Sequence, residues 1–329
     1  MPKRTNTARA ELHTHLGAAV DPPILWSIAH RQGIKLPSKN YWDFEDMITL
    51  SSNERSKSFD ETDKNFFYWT ELIQSSPEAI EESVKSVIGG GYRKNNLVLQ
   101  ELRFNPMKRN RGGERDLDHI IKAALWGLDQ ALMEYPQVRA GIILMIDRAL
   151  TFEQNEIITK KAIKYQPDGI IGLDLAGPQR KSFSMKKHAG LFHMARQAGL
   201  GITVHTGEEG NLDEMRFVVQ KIKPQRIGHG VMCVQDDKLM RDLVKYDITL
   251  EICPTSNIKN SVVKNIGGLK KIIRTLQKNK VKFTINTDGP EMYRTNIHKE
   301  QEFLKKSGIL TAGQIAQCTK WAFEASFIK

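Results

Sequence analysis

The sequence predicts an α/β fold, a closed (β/α)8 barrel formed by one domain over residues 1–329, with extra helices inserted between its first and second strands. Three observations predict it. Eight short runs rich in Val, Ile and Leu recur along the chain, and stretches of helical periodicity separate them. The gap after the first run is about 80 residues, far longer than a single crossover requires. Single barrels of this length are common.

The first strand is read at 11–16 (ELHTHL). Side chains alternate along an extended strand, so His13 and His15 share a face while Leu12, Thr14 and Leu16 take the other. Two imidazoles on one face can chelate, although an isolated His-x-His is better explained by packed or hydrogen-bonded rings. "DPPILWSIAHRQG" then reads as a helix, with Asp21 as N-cap and Pro22 at the first helical position. "YWDFEDMITL", "NFFYWTELI" and "PEAIEESVKSVIGGG" read as the inserted helices. Inserts after a barrel strand sit at its C-terminal mouth, so residues 39–75 are read as a lid whose aromatic residues suit a flat ligand. The same residues could also close the outer layer, and the two roles are compatible.

The second strand, 98–104 (VLQELRF), leads into the basic loop 108–115 (KRNRGGER) and a helix capped by Asp116. Strands follow at 139–146, 169–175, 201–205, 226–229, 248–252 and 282–287, the last two separated by the helix "GGLKKIIRTLQKN". The alternative, a doubly wound sheet, would place Gly-x-Gly-x-x-Gly after the first strand, and "HLGAAV" lacks that spacing.

Hydrophobic residues make up 40% of the chain, and no apolar run approaches the roughly 18 residues that span a bilayer. The basic N-terminal ten residues have no apolar segment behind them and read as a solvated tail, which makes a soluble, cytoplasmic protein without a membrane partner the expectation. Cys233, Cys253 and Cys318 are odd in number and widely spaced, which argues against disulfides and against a Cys-x-x-Cys metal site. Net charge is +11, but most lysine pairs fall in helix-like stretches and read as solvated faces. Apart from overall charge, no aromatic-basic pattern points to nucleic acid.

Metal-competent residues recur at the ends of the proposed strands. His13 and His15 lie on the first, "HTGEEG" supplies His205 and Glu208 after the fifth, "IGHG" supplies His229 after the sixth, and "NTDGP" supplies Asp288 after the eighth. Strand ends of a barrel converge on one mouth, so residues far apart in sequence become neighbours there. Three histidines and an aspartate form a nitrogen/oxygen set suited to Zn²⁺ or a similar borderline ion, leaving a position for water. Glu208, three residues beyond a ligand, is placed to exchange protons; His229 reads either as another ligand or as a general base.

"ELHTHLG", "RFNP", "GLDLAG", "HTGEEG", "RIGHG", "EICPTSN" and "NTDGP" occur in the order of the strand-end motifs of the adenosine deaminase family, which the chain resembles over residues 11–290; "AFEASF" fits that family's closing helix. The resemblance implies one zinc per chain, held by His13, His15, His205 and Asp288. It implies that Glu208 protonates N1 of a purine, that hydroxide oriented by His229 and Asp288 attacks C6, and that ammonia leaves. His15, Gly17, Gly177 and Gly289 would lie along the substrate, with Gly177 giving a backbone contact; without the family, Gly177 reads as a tight turn. The fourth strand offers no lysine for a carbamate-bridged metal pair, and the His-x-Glu with Pro-Cys-x-x-Cys of base-flipping deaminases is absent.

Two departures concern substrate recognition. Gly17 replaces an aspartate that the family usually places near the 5′ position of the sugar, and Gly289 replaces the aspartate that pairs with N7. The leading expectation is a zinc-dependent hydrolase that deaminates a 6-aminopurine nucleoside, adenosine by default. A second is a 5′-modified or phosphorylated substrate, of aminofutalosine, methylthioadenosine or AMP type, with Arg109 or Arg111 meeting an anion. A third is a barrel that binds without turnover.

Overall fold

The computed structural model describes residues 7–51, 54–56, 61–110, 116–210 and 212–329. Eight parallel strands pair in sequence order, β1 (Arg9–His15), β2 (Leu97–Phe104), β3 (Arg139–Asp147), β4 (Ile170–Ala176), β5 (Gly201–Thr206), β6 (Arg226–His229), β7 (Thr249–Ile252) and β8 (Phe283–Ile285). The ring closes through a short parallel bridge between Thr14 and Asp288, in which Asp288 N–H donates to His13 O at 2.9 Å and His15 N–H to Asp288 O at 2.8 Å. Helices lie between the strands, as a TIM barrel requires.

Most strand ends fall within two residues of the sequence reading. The eighth is shorter than the predicted 282–287, because the chain must leave the ladder to bring Asp288 into left-handed backbone at φ 65°. Asn286 uses its side chain to continue the seam, its Oδ1 accepting from Leu12 N–H at 3.2 Å. Asp116 caps the helix Leu117–Glu134 by accepting from Asp118 N–H. Asp21 holds the N-cap position of Pro22–Arg31 but does not cap: Pro22 and Pro23 have no N–H to offer, and its carboxylate instead accepts from Lys94 Nζ at 2.6 Å.

The long connection contains Pro22–Arg31, Tyr41–Met47, a π-helical turn Thr62–Phe67 continuing into Tyr68–Ile73, and the crossover helix Pro77–Asn95. The region 39–75 divides in two. Tyr41–Met47 packs on the preceding helix, with the Phe44 and Trp26 rings 5.3 Å apart, whereas Phe67 hangs over the mouth with its ring 6.2 Å from that of His15. Residues 52–53 and 57–60 of that region, residues 1–6 of the basic tail, and residues 111–115 of the basic loop, Arg111 among them, lie outside the described residues.

The main apolar core fills the space between strands and helices, and a smaller cluster at the opposite end from the mouth joins Ala10, Leu12 and Leu99 to Ala322. All three cysteines are free and buried. Among the described residues no helix is long and apolar enough to cross a membrane.

Candidate active site

The barrel brings together the four histidines and the aspartate read from the strand ends, with Glu208 beside them. His13 and His15 project from β1, His205 from β5 and His229 from the end of β6, and Asp288 follows β8. His205 Nε2 lies 3.1 Å from His13 Nε2 and 3.1 Å from His15 Nε2. Asp288 Oδ1 faces the same point, 3.5 Å from His13 Nε2 and 3.3 Å from His15 Nε2.

The outer nitrogens explain what the inner ones present. His13 Nδ1 lies 2.7 Å from Glu251 Oε2, and His205 Nδ1 lies 3.1 and 3.0 Å from the two oxygens of Asp174. An ionised carboxylate only accepts, so each Nδ1 carries the proton and each Nε2 directs a lone pair inward. Lone pairs 3.1 Å apart repel unless a cation lies between them. Arg103 fixes both carboxylates, its Nη1 donating to Asp174 and its Nη2 to Glu251, each at 2.9 Å.

Charge balance points the same way. Glu101, Asp174 and Glu251 are fully buried and Asp288 nearly so, while the guanidiniums buried among them are Arg103 and Arg226. Among these six groups the carboxylates outnumber the guanidiniums by two, a difference a divalent ion would offset. Burial and Arg103 press the His13 pKa down, yet hydrogen bonds to Asp288 and Glu251 outweigh them and raise it, a sign that the surroundings favour positive charge. Two overlapping groups, His13 with His205 and His229 and His13 with His15 and Asp288, bring ligand atoms within 4.8 Å of one another and could hold a metal. The residues therefore fit a divalent ion with nitrogen and oxygen ligands.

Glu208 and His229 flank this point. Burial, and after it the charges of Asp288 and Glu209, pushes the Glu208 carboxyl well above the usual carboxylate range. Its Oε1 lies 3.4 Å from His229 Nε2 and accepts no hydrogen bond from the described residues. His229 sits at φ 60°, which turns its ring inward where the strand ends; burial holds its pKa well below the ordinary value, and Asn257 Nδ2 lies 2.9 Å from its Nδ1. Asp288 Oδ2 accepts from Ser256 Oγ at 2.5 Å. Burial raises the Asp288 pKa, but the His13 hydrogen bond and the surrounding imidazoles outweigh it and hold the group ionised.

A cleft of about 870 Å³, partly open to solvent, rises from this cluster; His15, Phe67, Gly177, Glu208, His229 and Asp288 are among its lining residues. At φ 88°, Gly177 adopts backbone that favours glycine, and a Cβ there would lie 2.5 Å from Asp147 Oδ1, so it is both a tight turn and cleft wall. Gly17 and Gly289 do not line the cleft. A Cβ at Gly17 would stand 3.1 Å from Arg109 Nη2 and 3.2 Å from Phe67 Cδ1, and one at Gly289 would stand 2.6 Å from the Ala18 methyl. At Gly289 the place of a side chain is taken by Ala18, whereas at Gly17 a Cβ would press only on the ends of the Arg109 and Phe67 side chains. Arg109 is buried with its Nη1 3.6 Å from Glu71, and it is Lys108, paired with Asp147 at 2.9 Å, that reaches the cleft.

Glu251, Asp174, Arg103, Asn257 and Ser256 received no role from the sequence. The first three had a legible signal: charged residues at strand positions between apolar neighbours, where only a buried partner makes them tolerable. Nothing local in "CPTSN" identifies Ser256 or Asn257 as partners of Asp288 and His229.

Known proteins supply an independent comparison. The adenosine deaminase family model matches residues 8–329. An adenosine deaminase of Shewanella denitrificans is 27% identical over 327 residues, covering 97% of this chain and 93% of its own. An Arabidopsis N6-mAMP deaminase superposes with a TM-score of 0.82 at 23% identity, covering 98% of this chain and 94% of its own. An amidohydrolase from Burkholderia ambifaria, solved with bound zinc, superposes with a TM-score of 0.84 at 17% identity, covering 98% of this chain and 86% of its own.

Proposed function

Because the chain belongs to the adenosine deaminase family, and is thus a deaminating hydrolase of adenine derivatives, we propose that it converts a 6-aminopurine nucleoside, adenosine by default, to the 6-oxo product and ammonia with zinc as its metal. The observation that carries this reading is the convergence of His13, His15 and His205 Nε2 within 3.1 Å steps beside Glu208, whose carboxyl burial pushes well above the usual range.

His13, His15, His205 and Asp288 would hold the ion, and the zinc-bound relative supports that choice of metal. When bound, zinc supplies a Lewis acid and an acidified water at neutral pH. Glu208 donates its carboxyl proton to purine N1, which draws electron density from C6 and makes it electrophilic. His229, held neutral by burial and with Asn257 Nδ2 against its Nδ1, carries its proton on Nε2 and orients the attacking oxygen. Asp288, oriented through Oδ2 by Ser256, keeps Oδ1 available to the same water and to the metal. Gly177 offers its backbone to the purine, and Phe67 covers His15 as part of a lid that excludes bulk water. Glu208, ionised once N1 is protonated, takes the proton of the new 6-hydroxyl and passes it to the 6-amino group, which leaves as ammonia while C6 becomes the 6-oxo carbon.

Steady-state ammonia release from a panel of adenine derivatives, with zinc fully loaded, tests the proposal. Turnover of none of them would refute it.

One observation favours a second reading within the same chemistry. Lys108 lines the cleft and offers a cation to a 5′-phosphate, a substrate the likeness to an N6-mAMP deaminase also suggests. A higher kcat/KM for AMP than for adenosine, lost in Lys108→Ala, is the outcome this reading requires.

A further inference from the structure

The interior of the barrel carries an ionic chain from its mouth to its floor, and the segment that follows the last helix closes the floor end. The helix Ala312–Ala325 packs against β8 and β1, after which Ser326 and Phe327 reach the floor of the barrel. Gly172 on β4 and Gly201 on β5 face the Phe327 ring: a Cβ at Gly172 would lie 2.9 Å from Phe327 Cδ2, and one at Gly201 would collide with Cγ outright. Two neighbouring strands thus omit side chains where this ring enters.

The plug has a polar face as well. Glu101 Oε1 accepts from Ser326 Oγ and from Phe327 N–H, both at 2.7 Å. Glu101 Oε2 accepts from Arg226 Nη2 at 2.5 Å, and Arg226 Nη1 donates to Ala325 O at 2.7 Å. The Arg226 guanidinium stacks on the Phe327 ring at 3.5 Å from its centroid. Arg226 Nε then donates to Glu251 Oε1 at 2.6 Å, and Glu251 Oε2 faces His13 Nδ1 at 2.7 Å. Glu101, Arg226, Glu251 and His13 are all fully buried, so no solvent is available to replace a lost partner.

We propose that Ser326 and Phe327 are positioning residues for the metal site. They fix Arg226 between Glu101 and Glu251, and through Glu251 they hold His13 in the Nδ1–H form with Nε2 turned to the metal. Removing the plug frees Arg226 to retreat toward the floor and loosens the Glu251 carboxylate that sets the His13 ring. The effect reaches the metal without any contact between the plug and the cleft. This inference rests on the metal-dependent reading of the site.

Competition of the full-length protein with a chromophoric chelator for Zn²⁺ measures it directly. Direct partners of metal-binding histidines change affinity by about 10- to 100-fold when lost. A plug acting through two side chains from Phe327 and three from Ser326 is expected to weaken Zn²⁺ binding about tenfold in Phe327→Ala and a few-fold in Ser326→Ala. Ser326→Thr, which keeps the hydroxyl, should bind as the unmodified chain does. Leu276→Ala, in the outer helix Ile266–Lys278, serves as a control for lost stability: it should lower Tm and leave Zn²⁺ affinity within twofold. Should Phe327→Ala fail to fold, Ser326→Ala and Phe327→Leu decide the matter, the latter retaining apolar fill but losing the stacked ring. Unchanged affinity in the folded plug variants, or equal weakening in Leu276→Ala, overturns the proposal. An unmodified chain that binds no Zn²⁺ would instead refute the metal-dependent reading itself.

Discussion

Replacing Glu208 with glutamine separates chemistry from structure at this site, because the two side chains have the same shape and differ in what they can do with a proton. The carboxyl is buried, its pKa lies well above the ordinary range, and its Oε1 accepts no hydrogen bond from the described residues. Folding therefore gains little from the charge, and the amide should leave Tm unchanged or slightly higher. Zinc affinity should also hold, since Glu208 is not among the convergent ligand atoms. The loss falls on proton transfer. A positioned general acid contributes about 10²- to 10⁴-fold, equivalent to roughly 3 to 5 kcal/mol of transition-state stabilisation. Ammonia release over pH 5 to 9 gives the readout. In the unmodified enzyme the acid is competent while protonated, so kcat/KM should be full below its raised pKa and fall as pH climbs through it. In Glu208→Gln that limb should vanish along with most of the rate. A variant that retains activity within tenfold, with the falling limb intact, would refute the assignment of Glu208 as proton donor.

Asp174→Asn sets an amide N–H or a weaker carbonyl against His205 Nδ1–H and loosens Arg103; Zn²⁺ affinity measured by chelator competition should fall about 10- to 100-fold. Glu300 is buried away from the cleft, and burial raises its carboxyl to about 7 despite bonds from Thr255 and Thr295. Its folded form prefers the neutral carboxyl, so the stability tied to it is present below pH 4.5 and lost by about pH 7, on the order of 3 kcal/mol. Denaturant unfolding at pH 5 and pH 8 should show that loss in the unmodified chain and a flatter dependence in Glu300→Gln. Gly289→Asp forces a Cβ to within 2.6 Å of the Ala18 methyl and should cost about 1 to 3 kcal/mol, recovered in part when combined with Ala18→Gly; simple additivity in that double-mutant cycle would show the crowding is not felt.

The eight strands and most of their ends were legible because parallel barrel strands are short, apolar and separated by amphipathic helices, a pattern held in local sequence. The strand-end histidines and Asp288 were legible for a related reason: a barrel sends every strand's C-terminal end to one mouth, so a polar residue at such an end is a candidate whatever its distance along the chain. The sequence alone could not place Asp21's carboxylate on Lys94, since that pairing depends on how a helix start meets the crossover helix. Nor could it show that Arg109 turns inward to Glu71 while its neighbour Lys108 faces the cleft.

Gly17 and Gly289 mark the division most clearly. The resemblance implies that two carboxylates are absent here; only the packed structure shows Ala18 standing where a side chain at 289 would begin, and Phe67 and Arg109 pressing close at 17. The residue types and strand order already determined a barrel with metal-competent groups at its mouth, because alternation and convergence are properties of backbone geometry. Tertiary packing decided which nitrogen of each histidine faces inward, through Glu251 and Asp174, and it decided that the floor of the barrel is tied to its mouth. Those outcomes turn on hydrogen-bond distances of about 3 Å between residues scores of positions apart, which no local pattern encodes.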